Sequence, residues 1–186
     1  MERLFFQGRI EILKGDITRV AADAIVNAAN QSLMGGGGVD GAIHRAAGPQ
    51  LLLECLKLGG CRSGDAKITK GYRLPSPHVI HTVGPVWHGG KKDEATLLSS
   101  CYRRCLEIAQ EHHLNSIAFP SISTGVYRYP KEDACGIALN TTLEFIKANN
   151  VPESILFVLF SEGDFDIYLK RMESLEPAVS IDSEER

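Results

Sequence analysis

Short apolar runs alternate with segments of helical period along nearly the whole chain, and that alternation leaves few architectures open. The runs Ile10–Leu13, Ala24–Ala28, His78–Val83, Ser116–Pro120 and Ile155–Phe160 predict strands, with a shorter one around Ala66–Thr69. Between them, Val39–Ala47, Gln50–Leu58, Glu94–His112, Lys131–Ala148 and Phe165–Ser174 predict helices. In the helix from Glu94, residues Leu97, Leu98, Cys101, Cys105 and Ile108 recur at helical spacing, so one face is buried. Pro130 suits the first turn of the helix that follows. Strands interleaved with helices predict a layered α/β domain around a mostly parallel sheet. With 186 residues, of which 44% are hydrophobic, the chain has material for one domain and its core. That domain is expected over residues 9–175. Residues 1–8 read either as an N-terminal extension or as a first strand, and the polar tail 176–186 is expected to be disordered.

The stretch from Asn27 to His44 is unusual within this pattern. It leaves the apolar run Ala24-Ile25-Val26, passes Asn30 and four consecutive glycines, Gly35 to Gly38, and enters a helical pattern at Val39 and Asp40. Each glycine loses more backbone freedom on folding than any other residue. A run of four is tolerated where backbone N–H groups must approach something closely. Ahead of a helix, that something is most often a phosphate, held by N–H groups and the positive end of the helix dipole. Ligands of open α/β sheets sit beyond the carboxyl ends of the strands. Two further loops share that placement. One is Gly15-Asp16-Ile17-Thr18, which brings a carboxylate able to accept from an amino group. The other is Ser121-Ile122-Ser123-Thr124-Gly125-Val126-Tyr127, and two N–H-rich loops together can grip a diphosphate from both sides.

Charge and composition narrow the partners. A formal net charge of -3 and a pI near 6.1 supply no basic field for nucleic acid or an anionic membrane surface. No apolar run approaches the roughly 20 residues needed to span a bilayer, and no signal peptide is visible. Five cysteines at irregular spacing predict buried free thiols in a reducing cytoplasm rather than a disulfide framework. No ligand spacing predicts a metal site, and His78 and His81, three apart on a strand, face opposite sides. Gly36-Gly37-Gly38-Val39-Asp40-Gly41 spells G-x-G-x-x-G, but the polar stretch Asn30–Met34 separates it from its strand. No second strand follows until after Gly64, so the dinucleotide fingerprint is not met.

Taken together, Gly15-Asp16-Ile17-Thr18, Val26-Asn27-Ala28-Ala29-Asn30, Gly35–Gly41, His44–Pro49, Ile80–Pro85 and Phe119–Tyr127 resemble the macrodomain family, in particular its MacroD-type ADP-ribosyl hydrolases. The resemblance covers about residues 9–175. It implies a three-layer α/β/α sandwich with a mixed, mostly parallel sheet and no cofactor. It also implies a monomer that binds ADP-ribose and its esters, with mono-ADP-ribosylated proteins as partners. The activity implied is metal-independent hydrolysis of the ester between the distal ribose and an Asp or Glu side chain, together with removal of acetyl from O-acetyl-ADP-ribose. The alternative is a reader that binds ADP-ribose without turnover.

By position, the resemblance makes Asn30 and Asp40 the catalytic pair. Asp16 and Ile17 would meet adenine, with Phe160 stacking on it. Gly36, Gly37, Gly38 and Val39 would hold the diphosphate together with Ser121, Ser123, Thr124, Gly125 and Val126. Tyr127 would pack on the distal ribose, and Asn27 and His44 would complete the ligand-binding set. The residues taken alone leave plainer readings open. Asp16 also suits a turn cap. Asp40 suits a helix N-terminus without any catalysis. Tyr127 and Phe160 suit core positions, and His44 either orients Asp40 or packs under the loop. Arg128 departs from the family pattern, which has glycine there. It is expected either to meet the ligand or protein substrate, or to be a solvated loop arginine at a position that needs no positive φ.

Overall fold

The computed structural model describes residues 2–175. The strands are β1 (Glu2–Phe5), β2 (Ile10–Lys14), β3 (Ala24–Ala28), β4 (Ala66–Lys70), β5 (His78–Thr82), β6 (Ser116–Phe119) and β7 (Ser154–Leu159). They form one seven-stranded sheet in the order β1-β2-β7-β6-β3-β5-β4. The five central strands are parallel, while β1 on β2 and β4 on β5 are antiparallel edges. The helices are α1 (Gly38–Ala47), α2 (Pro49–Leu58), α3 (Glu94–Glu111), α4 (Lys131–Ala148) and α5 (Glu162–Leu175). The tail expected after Leu175 lies outside the described residues.

Side-chain alternation along the strands divides the core into two layers. Val26, Ile80, Ile117, Phe119, Ile155 and Phe157 face α3, α4 and α5, where Tyr102, Leu139 and Phe165 are buried against them. Ile25, Val79, Ala118 and Val158 face the opposite way, onto Ile43, Ala47, Leu51 and Cys55 of α1 and α2. The result is a three-layer α/β/α sandwich with a mixed sheet. Central strands covered on both faces read as continuous apolar runs, which is why they were legible.

The largest departure from the expected elements is the start of α5, at Glu162 rather than Phe165. Its first turn is polar and carries no apolar signal. Ser161 defines it instead: the Ser161 hydroxyl accepts from the Asp164 N–H at 3.1 Å and donates to the Asp164 carboxylate at 2.7 Å.

Candidate functional site

Parallel pairing brings the carboxyl ends of β2, β7, β6 and β3 side by side, and the loops leaving them share one rim. Gly15 N–H donates to Leu159 C=O at 3.0 Å, which ties the Asp16 turn to the end of β7 and to Phe160. The Asp16 Oδ1 accepts from the Thr18 N–H at 3.0 Å and from the Thr18 hydroxyl at 2.7 Å. It thus caps the short 3-10 turn Ile17–Arg19 while its Oδ2 lies 3.8 Å from Arg19 Nε. Ile17 is buried beneath it. Phe160 is 83% exposed and Val126 89%. Apolar side chains this open are not core residues. Replacing Phe160 with alanine is therefore expected to leave the unfolding midpoint unchanged. Were the ring to stack on adenine, as the resemblance implies, calorimetry should show ADP-ribose binding weakened by about 1 kcal/mol, the scale of a ring–ring contact.

The loop between β3 and α1 is organised by Asn30. Its Nδ2 donates to Gly35 C=O at 2.9 Å, and its Oδ1 accepts from the Ser32 N–H and hydroxyl at 3.1 and 2.6 Å. Gly35 and Gly38 have φ of 85° and 57°, which glycine adopts without strain. Gly36 is needed for close approach: a Cβ there would lie 3.1 Å from Asp40 Oδ2 and 3.4 Å from Asn30 Nδ2. Gly37 is the N-cap of α1, so the first N–H groups of the helix have no side-chain cap, and the turn Gly36–Gly38 is exposed. Asp40, in the first turn of α1, is only 4% exposed. Its Oδ1 accepts from Asn27 Nδ2 at 2.7 Å, and His44 Nε2 lies 3.5 Å from the same oxygen.

On the opposite side, the hydroxyls of Ser121 and Thr124 bond at 2.8 Å, and Tyr129 N–H donates to Ser123 C=O at 3.0 Å. Ser123 sits at φ 66° with its hydroxyl buried and unpartnered. Non-glycine residues held in the left-handed region cluster at functional sites. Gly125 is exposed, and Tyr127 is half-buried, with its C=O accepting from Trp87 N–H at 2.9 Å. A separate open depression of about 450 Å³ beside Gln31, Gly60 and Arg62 contains none of these residues.

Two expectations change. Asn27, placed among ligand contacts, is 0% exposed and its amide bonds inward, away from the rim. Its amide bonds Asp40 and, at 3.1 Å, His81 Nδ1, and it supports the carboxylate from beneath. Arg128 does adopt a positive φ, 57°, so glycine at this position has a backbone reason. Arginine there carries about 1 kcal/mol of strain and projects from an exposed site.

Sequence reasoning also missed the groups behind Asn27. His81 Nε2 lies 2.9 Å from the Thr69 hydroxyl and 3.7 Å from Cys55 Sγ. The signal was available: Asn27 and His81 are polar residues inside apolar strands, in register on neighbouring strands. Burial, reinforced by His44, lowers the His81 pKa from 6.5 to about 3. The folded protein therefore binds fewer protons than the unfolded chain between those values. Stability should fall as pH drops from about 6.5 toward 3, read as a declining urea midpoint, and His81→Leu should flatten that slope. All five cysteines are free and buried, and burial raises Cys55 and Cys101 to about 11 and Cys135 to about 12. Among the described residues no group of His, Cys, Asp and Glu is placed to hold a metal, and no helix is long and apolar enough to cross a membrane.

Comparison with known proteins decides the family, because the model of the Macro domain matches residues 26–138, more than half of the chain. This chain is a macrodomain. An O-acetyl-ADP-ribose deacetylase of Salmonella newport is 52% identical over 166 residues, covering 87% of this macrodomain and 93% of that protein. The ADP-ribose glycohydrolase MACROD2 of Xenopus laevis is 51% identical over 183 residues, covering 95% of this chain and 43% of its own. A structure of the Oceanobacillus iheyensis macrodomain with ADP superposes with a TM-score of 0.87 at 47% identity, covering 94% of this macrodomain and 95% of that one.

Proposed function

We propose that this macrodomain binds ADP-ribose and hydrolyses the ester joining its distal ribose to an Asp or Glu side chain of a mono-ADP-ribosylated protein. Deacetylation of O-acetyl-ADP-ribose, also an ester of the distal ribose, follows by the same chemistry. The observation that carries this reading is Asp40: a buried carboxylate at a helix N-terminus, held by Asn27 on one oxygen and turned with the other toward Gly36 and Asn30. The names of the relatives and the ADP-bound neighbour point to the same ligand class.

In this reading the turn Gly36–Val39 and the loop Ser121–Val126 hold the diphosphate from two sides. Asp16 receives the adenine amino group through Oδ2, because Oδ1 is occupied by Thr18. Phe160 stacks on the base and Tyr127 packs on the distal ribose. Asn30 fixes the loop that positions the ribose hydroxyls, and Asp40 orients a water and accepts its proton. His44, against the same carboxylate oxygen as Asn27, limits the motion of Asp40. The ligand's own diphosphate is a second proton acceptor, so the reaction calls for no metal or cofactor. Five buried thiols suit a reducing cytoplasm.

A reader without turnover is the competing reading. Asn30 and Asp40 at the distal-ribose end favour hydrolysis over it. Incubation with O-acetyl-ADP-ribose, following acetate release with and without exhaustive chelation, separates them. Catalytic release unaffected by the chelator is expected. Tight binding with no release would establish a reader, and loss on chelation restored by added divalent metal would overturn the metal-independent route.

A further inference from the structure

The polar residues behind Asp40 form a directed chain whose far end the proposed chemistry leaves unassigned. Asn27 Nδ2 has two N–H groups and two acceptors, Asp40 Oδ1 at 2.7 Å and His81 Nδ1 at 3.1 Å. His81 can accept at Nδ1 only if its proton is on Nε2. A carboxylate oxygen can only accept, so the Asn27 amide nitrogen that donates to Asp40 also faces Nδ1 and requires it bare; Thr69 Oγ1, 2.9 Å from Nε2, is placed to accept the Nε2 proton, with Lys70 C=O at 3.2 Å and Val79 C=O at 3.5 Å in reach of its own. We propose that His81 is a positioning residue: as the Nε2-protonated imidazole it fixes the amide of Asn27, so that Asn27 donates to Asp40 Oδ1 and Asp40 Oδ2 stays turned toward Gly36 and Asn30. This inference rests on the hydrolytic reading of Asp40.

Geometry allows one orientation of the amide. A flipped Asn27 would set its oxygen 2.7 Å from a carboxylate oxygen and against the lone pair of His81 Nδ1, two repulsive contacts in a buried site. In the orientation found, Asn27 Oδ1 is buried without a partner. The strand register supplies the alignment, because Asn27 on β3 pairs with His81 on β5 and both face the α1–α2 layer. Groups facing His81 come from every neighbouring element: Asn27 on β3, Thr69 on β4, Cys55 on α2 and His44 on α1, with Asp40 reached through Asn27. Burial keeps the ring neutral at physiological pH, as the acceptor role at Nδ1 requires.

The test measures kcat and KM on O-acetyl-ADP-ribose for wild type, His81→Leu and His81→Asn, each also in an Asp40→Ala background, with ADP affinity by calorimetry. His81→Leu should lower kcat about tenfold or more, because small misplacements of a reacting group are expensive, while ADP affinity stays within about twofold. His81→Asn places an oxygen near the former Nδ1 and should recover kcat to within about threefold of wild type. In the Asp40→Ala background the leucine variant should cause no further loss, since the effect passes through Asp40. Equal losses in the leucine and asparagine variants, a loss confined to KM or ADP affinity, or an additive loss without Asp40 would overturn the positioning role. Nitrogen-15 spectra of the wild-type histidines at neutral pH test the geometry without turnover. A protonated Nε2 and bare Nδ1 on His81 support it, and the reverse pattern overturns it. Turnover indifferent to His81→Leu contradicts the positioning role alone. Wild type that binds ADP without turnover contradicts the hydrolytic reading and the positioning role with it.

Discussion

Replacing Asp40 with alanine is expected to lower kcat by roughly a hundredfold or more, the scale of a lost general base. ADP affinity should change far less, because Asp40 lies beneath the glycine turn rather than on its outer surface. Some destabilisation will accompany the change. The Asn27 donor loses its acceptor in a fully buried place, at about 1–3 kcal/mol, and α1 loses a favourable charge in its first turn, at about 0.3–1 kcal/mol. Asp40→Asn separates the two effects, since it keeps the shape and removes the base. Both variants should retain cooperative urea unfolding while the rate collapses. Near wild-type kcat in both would remove Asp40 from the chemistry.

Gly41→Ala should have the second largest effect, and in a direction opposite to helix propensity. Gly41 lies inside α1, where alanine is favoured over glycine by about 1 kcal/mol. Here, however, a Cβ would lie 2.4 Å from the carbonyl oxygen of Gly36. That oxygen belongs to the backbone and cannot rotate away as a side chain would. The turn Gly36–Gly38 must shift, and it lies close over the polar pair, since even a Cβ on Gly36 would come within 3.1 Å of Asp40 Oδ2 and 3.4 Å of Asn30 Nδ2. The steric term outweighs the propensity term, so the loop moves. ADP-ribose affinity is expected to fall about tenfold or more, because the N–H groups that face the diphosphate are displaced. Calorimetry on the folded variant checks this. Unchanged affinity would mean that the turn does not grip the ligand.

The sheet was legible because its central strands are buried on both faces and spell apolar runs such as Ala24–Ala28. The start of α5 was not, because a polar first turn held by Ser161 has no hydrophobic period to read. At the site, the glycine run announced a close approach, but it did not reveal which contacts make it close. Gly36 is constrained by Asp40 and Gly41 by Gly36, and both contacts depend on how the loop folds over α1. Asn27 was misplaced among ligand contacts because its neighbours along the chain, Asn30 and the glycines, lie at the rim. Strand alternation sends its side chain instead into the layer beneath. His81 and Thr69 were missed for the complementary reason: they come from strands distant in sequence, and only the register of β3, β5 and β4 sets them behind Asn27. Arg128 shows the limit of reading a substitution by residue type. Its positive φ belongs to the turn closed by Arg128 N–H on Gly125 C=O at 3.0 Å, whatever side chain stands there.

The most direct test of the account is release of free ADP-ribose from a protein mono-ADP-ribosylated on glutamate. Substrate in large excess over wild-type protein should be consumed over many turnovers, with an unmodified glutamate regenerated, and Asp40→Asn should bind the same substrate but release ADP-ribose roughly a hundredfold or more slowly. Wild type that forms a stable complex with the modified protein and releases nothing would contradict the account.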